Sequence, residues 1–84
     1  MGSIESESVM RKLYKWNTSI GPFFIAEHER RFHVLYENES LGSYATSVQA
    51  ADDVAGGHTF SAGPGIDTAA LGISDQLSHW ERVE

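Results

Sequence analysis

Residues 22–36, PFFIAEHERRFHVLY, decide the fold, because two apolar runs lie on either side of a polar turn. Pro22 opens the first run, and proline is tolerated at the first residue of a strand. The polar residues 29–31 separate this run from the second, residues 32–36. The stretch therefore predicts an antiparallel β-hairpin. The turn contains no Asn-Gly pair, so the sequence leaves its register open.

The length of this turn decides which side chains meet across the hairpin. A four-residue loop would place His28 directly opposite His33, whereas a two-residue loop would place it opposite Arg31. Two facing histidines can contribute to a metal site, but the chain has no cysteine and no H-x-H or H-E-x-x-H spacing. We therefore expect no metal site and no cofactor.

Downstream of the hairpin, residues 41–44, LGSY, predict a short third strand. Thr46 and Gln49 then form a capping-box pattern, and Gly56-Gly57 provides a stop signal, so a helix is predicted over residues 47–55. Its predicted apolar stripe consists of Val48, Ala51, Val54 and Ala55. The predicted fold is α+β: a three-stranded antiparallel sheet over residues 22–44 with one packed helix (β-β-β-α) and short helical turns towards the C-terminus.

The two ends of the chain give weaker signals. Residues 1–8 are predicted to be a disordered tail, and residues 9–84 a single small domain. Residues 9–20 fit either a helix or a strand, because apolar residues repeat at helical spacing while LYKW also suits a strand. Trp80 and Val83 are expected to fold back onto the core.

The composition limits the function classes. The chain has 84 residues, 40% of them hydrophobic, and a net charge of −6. Residues 1–36 hold four acids and five bases (+1), and residues 37–84 hold eight acids and one base (−7). This acidity argues against nucleic acid as the leading partner. No apolar run approaches the ~20 residues of a membrane span, and the start lacks a basic signal region, so we expect a cytoplasmic protein without a membrane partner.

Residues 41–55, LGSYATSVQAADDVA, resemble the end of the AP2-type DNA-binding domain and of integrase arm-binding domains. The resemblance implies a three-stranded sheet packed on one helix, with DNA read by arginines and tryptophans of the sheet. Over its whole length the chain also resembles small bacterial proteins of uncharacterised function. That second resemblance is carried by residues 20–23, 41–46, 50–53 and 77–80.

The leading functional expectation is a non-catalytic module that binds another protein or a second copy of itself. The run Phe23-Phe24-Ile25 is apolar on both faces of its strand, whereas one helix covers only one face of a sheet. An aromatic sheet face and an acidic helix end are therefore the expected contact surfaces. The candidates are Trp16, Phe23, Phe24 and Trp80 for the first, and Asp52 and Asp53 for the second.

The alternative is nucleic-acid binding through the sheet. Its candidate residues are Arg11, Lys12, Lys15, Arg30 and Arg31. This alternative gains support if these bases line one face of the sheet, and loses it if they scatter or pair with acids. An enzyme is not expected, because the chain has neither a G-x-S-x-G elbow nor a phosphate-binding glycine loop with its lysine.

Overall fold

The computed structural model describes residues 11–37, 39–59 and 66–83. Four antiparallel strands follow one another as a meander, and a short fifth strand pairs with the first, giving the order β4-β3-β2-β1-β5. The strands are β1 Arg11–Thr18, β2 Gly21–His28, β3 Arg31–Tyr36, β4 Glu39–Tyr44 and β5 Glu81–Arg82. The α+β class is confirmed, but the prediction of three strands is wrong, because the sheet has five.

The additional strands flank the predicted sheet on one side. β1 resolves the ambiguity of residues 9–20 in favour of a strand over Arg11–Thr18, joined to β2 by a turn at residues 19–20. The Thr18 hydroxyl accepts a hydrogen bond from the Ile20 N–H at 3.2 Å and donates one to the Gly21 carbonyl at 2.6 Å. β5 has only two residues, which is too short to show any periodicity. The predicted tail, residues 1–8, lies outside the described residues.

The β2–β3 hairpin has a two-residue turn, because His28 pairs with Arg31. The two turn residues, Glu29 and Arg30, have φ angles of 53° and 67°. Two successive positive φ angles match a type I′ turn, which suits the twist of a hairpin but favours Asn-Gly. The chain therefore holds two bulky residues in the left-handed region, and this explains why no turn signal was visible in the sequence.

Replacing Glu29-Arg30 by Asn-Gly is expected to raise the free energy of unfolding by about 1–2 kcal/mol, because it relieves the left-handed conformation of two L-residues. Urea denaturation measures this difference. Glu29→Ala with Arg30→Ala is the control, since it removes the same two charges and keeps the backbone strain. Equal stability of both double variants would contradict the turn geometry.

The helix, α1, spans Ser47–Gly56, one residue longer than predicted. The Thr46 hydroxyl accepts from the Gln49 N–H at 3.1 Å, and the Gln49 side-chain oxygen accepts from the Ala45 N–H at 3.3 Å. Gly57 caps the C-terminal end of the helix, and its φ of 77° is left-handed. Its buried residues are Ala50, Ala51 and Val54, whereas Val48 is 60% exposed. The prediction that Val48 belongs to the buried stripe is therefore wrong.

The core lies between α1 and one face of the sheet. Phe23 stacks on Tyr36 with ring centroids 4.8 Å apart, and the Tyr36 hydroxyl donates to the Ile20 carbonyl at 2.9 Å. The buried cluster comprises Phe23, Ile25, Val34, Tyr36, Leu41, Ala50, Ala51, Val54, Ile73 and Trp80. The small helix residues let the helix approach the sheet closely, as their size predicts.

The C-terminal part closes this core. Two single-turn 3-10 helices, Thr68–Ala70 and Leu77–His79, lead to Trp80, which is buried against Trp16 at a centroid distance of 5.9 Å. The Trp80 indole N–H donates to the Ser74 carbonyl at 2.8 Å. Trp80 therefore folds back as expected, while Val83 stays 38% exposed and uses its N–H to bond the Leu13 carbonyl at 3.0 Å.

Candidate functional site

The two faces of the sheet differ, because neighbouring side chains along a strand point to opposite sides. Phe23 and Ile25 belong to the core, so Phe24 and Ala26 lie on the opposite side, here called the far face. The strand register adds its other basic, apolar and hydroxyl members, which are Lys12, Lys15, His28, Arg31, His33, Leu35, Ser40 and Ser43. The far face is the side of the sheet that the helix does not cover.

Phe24 lies half-buried in the middle of the far face, beside the buried Leu35. The Lys12 ammonium sits 4.4 Å from the centroid of its ring, which is a cation–π distance. Lys15 lies directly opposite Phe24 on β1. The aromatic centre of this face therefore presents an ammonium group over the ring, flanked by a second lysine.

Arg31 is oriented by the neighbouring edge strand. Its Nε donates to the Ser43 hydroxyl at 2.9 Å, and its Nη2 donates to the Ser43 carbonyl at 3.0 Å. A guanidinium carries five N–H donors, so these two bonds leave three for another acceptor. Because the side chain is exposed and already ordered, less entropy is lost when an anion binds it.

The two hairpin histidines lie diagonally on the far face. Their ring centroids are 6.3 Å apart, and the His33 Nδ1 lies 3.1 Å from the Ser40 hydroxyl. Partial burial, then the nearby His28 and Arg31, lowers the pKa of His33 below its ordinary value of 6.5. Protonation of His33 is therefore opposed by its surroundings, and an anion at this end of the face would favour it.

The charge of the far face is opposite to that of the whole chain. Glu81, opposite Lys15, is the one acid among its described strand residues. If the histidines are counted as neutral, the net charge of the far face is +2, from three bases (Lys12, Lys15 and Arg31) and this one acid. Since the chain carries −6, the remainder carries −8. The strand residues of the far face thus carry a net positive charge within an acidic chain.

The four aromatic candidates do not form one surface. Phe23 and Trp80 are 0% and 4% exposed and lie in the core, so the expectation that they are surface rings does not hold. Trp16 is half-buried against Trp80 on the helix side, and Phe24 lies on the far face. The physical reason is that the C-terminal segment supplies a tryptophan to the helix-side core.

The two acidic candidates have different surroundings. Burial, and then the charge and hydrogen bond of Asp53, raises the pKa of Tyr44 to about 12, so Asp53 is engaged by Tyr44. Asp52 is exposed and lines a surface cavity of about 350 Å³ with Ser74 and Asp75. No base lies in the last helical turn. Only Asp52 therefore presents its carboxylate freely at the helix end.

Three of the five basic candidates lie on one face of the sheet, and the other two lie elsewhere. Lys12, Lys15 and Arg31 lie on the far face. Arg11 pairs with Glu27 at 3.0 Å on the helix side, and Arg30 lies exposed in the β2–β3 turn. By the criterion set from the sequence, the result is divided, because three of the five bases share a face whereas Arg11 pairs with an acid and Arg30 lies in the turn.

The site residues that sequence reasoning missed are His28, His33 and Ser43. Once the two-residue turn is known, strand alternation alone places His28, Arg31 and His33 on one side, so the signal was present but depended on the register. In the described ranges, no group of three or more His, Cys, Asp or Glu side chains is arranged to hold a metal ion.

Among residues 11–37, 39–59 and 66–83, no helix combines the length and the apolar character that a membrane crossing requires. The far face combines basic side chains with one phenylalanine ring and with small, aliphatic and hydroxyl side chains. No family model, no curated protein and no solved structure matches this chain, so its function has to be inferred from this geometry.

Proposed function

We propose that this protein is a non-catalytic binding module that contacts the phosphate backbone of a nucleic acid through the far face. The observation that carries the proposal is the placement of Lys12, Lys15 and Arg31 on one face with Glu81 as its one strand acid. Such a cluster attracts phosphate locally, although the net charge of the whole chain is negative.

The chemistry of this face favours phosphate contacts over base recognition. Lys12 covers the ring of Phe24, so a base can stack there only if the ammonium group moves away. Lysines bind phosphate as point charges, and the ordered Arg31 fork offers several donors to one phosphate. Contacts of this kind fix position and orientation but carry no sequence information. We therefore expect binding that is largely independent of base sequence.

The architecture supports a duplex as the ligand. A two-stranded ribbon of a sheet fits the major groove of B-DNA, and the far face is free of the helix, which packs on the opposite side. The resemblance to AP2-type and integrase arm-binding domains implies the same use of a sheet face. The net charge of −8 on the remaining residues opposes binding of phosphate elsewhere on the chain.

The test is the binding of a labelled duplex of about 20 base pairs at several salt concentrations. For three phosphate contacts, the slope of log K against log salt is expected to be about −3. Lys12→Gln should reduce the magnitude of this slope by about one. Arg82→Gln is the matched control, because Arg82 stacks over Tyr14 on the helix side and its loss should leave the slope unchanged.

The triple variant Lys12→Gln, Lys15→Gln, Arg31→Gln should lose the salt-dependent binding altogether, while circular dichroism confirms that it remains folded. Absence of binding by the wild-type protein at low salt would contradict the proposal. Equal slopes for Lys12→Gln and Arg82→Gln would also contradict it, since binding would then not depend on the far face.

A second candidate is the protein-interaction module expected first from the sequence. What favours it is the exposed Asp52 in the surface cavity at the helix end, together with the charge of −8 outside the far face. A basic partner, or the basic face of a second copy, would be steered there. The two candidates need charges on opposite sides of the molecule, so neutralising Asp52 and neutralising Lys12 separate them.

A further inference from the structure

One end of the far face gathers three groups that can carry positive charge. His28 pairs with Arg31 across the β2–β3 hairpin, and His33 lies diagonally from His28 with ring centroids 6.3 Å apart. Ser43 fixes the Arg31 guanidinium through two hydrogen bonds, and Ser40 contacts the His33 Nδ1. Ser43 and Ser40 of β4 thus engage two N–H groups of Arg31 and the Nδ1 of His33, which leaves Nε2 of His33 and three N–H groups of Arg31 for a ligand.

Few negative charges face this cluster. On β1 the neighbouring charged residue is Lys12, which lies across Ala26 from His33. On β4 the facing residues, Ser40 and Ser43, are uncharged. Among the described residues, the nearest acid is Glu29 in the turn, with its carboxylate 3.8 Å from His28 Nε2 and its side chain 80% exposed. The cluster therefore has more hydrogen-bond donors than acids, and its neighbouring acid is screened by solvent.

We propose that His28, Arg31 and His33 form a phosphate subsite at the turn end of the far face, and that its affinity rises as the two histidines take up protons. This inference deepens the proposed function, on which it rests, by naming where one backbone phosphate binds and what regulates that contact. Arg31 supplies the permanent charge, and each histidine that takes up a proton adds one more.

The direction of the pH dependence follows from the thermodynamic linkage between phosphate binding and proton binding. In the free protein the pKa of His33 is lowered, first by burial and then by His28 and Arg31. A bound phosphate compensates the positive neighbours, so the pKa of His33 should be higher in the complex than in the free protein. Binding then takes up protons, and affinity must increase as pH falls through the range between the free and bound values.

The test measures duplex binding at about pH 7.5 and about pH 5.5. Wild-type affinity is expected to rise about fivefold or more, and the salt slope to steepen by about one for each histidine that becomes a phosphate contact. His28→Gln with His33→Gln should abolish both changes, while circular dichroism confirms that the variant remains folded. His79→Gln is the matched control, because His79 lies in the 3-10 helix Leu77–His79 and contacts Ser74, which lines the cavity at the end of α1.

A second measurement does not depend on DNA binding. NMR titration of the His33 ring with and without inorganic phosphate should show a higher pKa of His33 in its presence, with no such phosphate effect on the ring signals of His79. Duplex binding that is independent of pH, or whose pH dependence survives in the double histidine variant, would overturn the subsite and leave the proposed function standing. A His33 response to inorganic phosphate without any duplex binding would support the subsite and overturn the nucleic-acid function.

Discussion

Replacing Phe23 by alanine is expected to lower the free energy of unfolding by about 3–5 kcal/mol. Phe23 is 0% exposed, stacks on Tyr36 and lies at the centre of the core between sheet and helix. A domain of 84 residues has a total stability of about 4–13 kcal/mol at ~0.05–0.15 kcal/mol per residue. The variant should therefore lose a large share of its stability and be close to unfolded without denaturant at the lower end of this range, which urea titration followed by circular dichroism would reveal.

The neighbouring phenylalanine is the matched control for this experiment. Phe24 has the same side chain on the same strand, but it lies half-buried on the far face beneath Lys12. Phe24→Ala is expected to cost less than about 2 kcal/mol, because the site can be filled by solvent and by the lysine stem. If the two variants lost equal stability, the assignment of the two faces of β2 would be wrong.

Replacing Trp80 by alanine is expected to cost a similar amount, about 3–5 kcal/mol, because the indole is 4% exposed and packs on Trp16. Since β5 follows Trp80 directly, the variant should also release the hydrogen bond from Val83 to Leu13. Native-state hydrogen exchange of the Val83 amide measures this local opening separately from global unfolding.

Trp80→Phe keeps a smaller aromatic ring in the same position and removes the indole N–H, which donates to the Ser74 carbonyl at 2.8 Å. Its expected cost is about 1–3 kcal/mol, the range for leaving a buried acceptor unpaired. The Val83 amide should stay protected in this variant. Unchanged protection of Val83 in Trp80→Ala would contradict the anchoring role of the indole.

The sequence predicted those elements whose signals are local. The hairpin strands, the third strand and the Thr46 cap depend on alternation and capping within a few residues, and each is found close to its expected bounds. β1 stayed ambiguous because its pairing with β2 shifts register between Lys12 and Tyr14, which breaks the two-residue period. β5 could not be predicted, because two residues become a strand only through pairing with β1.

The candidate site was predictable only in part, for the same physical reason. The five bases could be named from the sequence, but their division between faces depended on the turn length and on the β1 register. Consecutive phenylalanines must point to opposite sides, yet which side is enclosed depends on contacts distant in sequence, above all those of Trp80. The histidines joined the site only once the two-residue turn was known.

The outer strands of the sheet have a consequence for how any partner approaches. β5 offers a border of only two residues, and β4, on the other side, pairs with β3 through an irregular register between His33 and Leu35. Short or irregular edge strands are poor templates for pairing with a further strand. Natural β proteins use such edges to avoid edge-to-edge aggregation into fibres. Partners are therefore expected to bind the faces of this molecule, and not to add a strand to an edge of its sheet through main-chain hydrogen bonds.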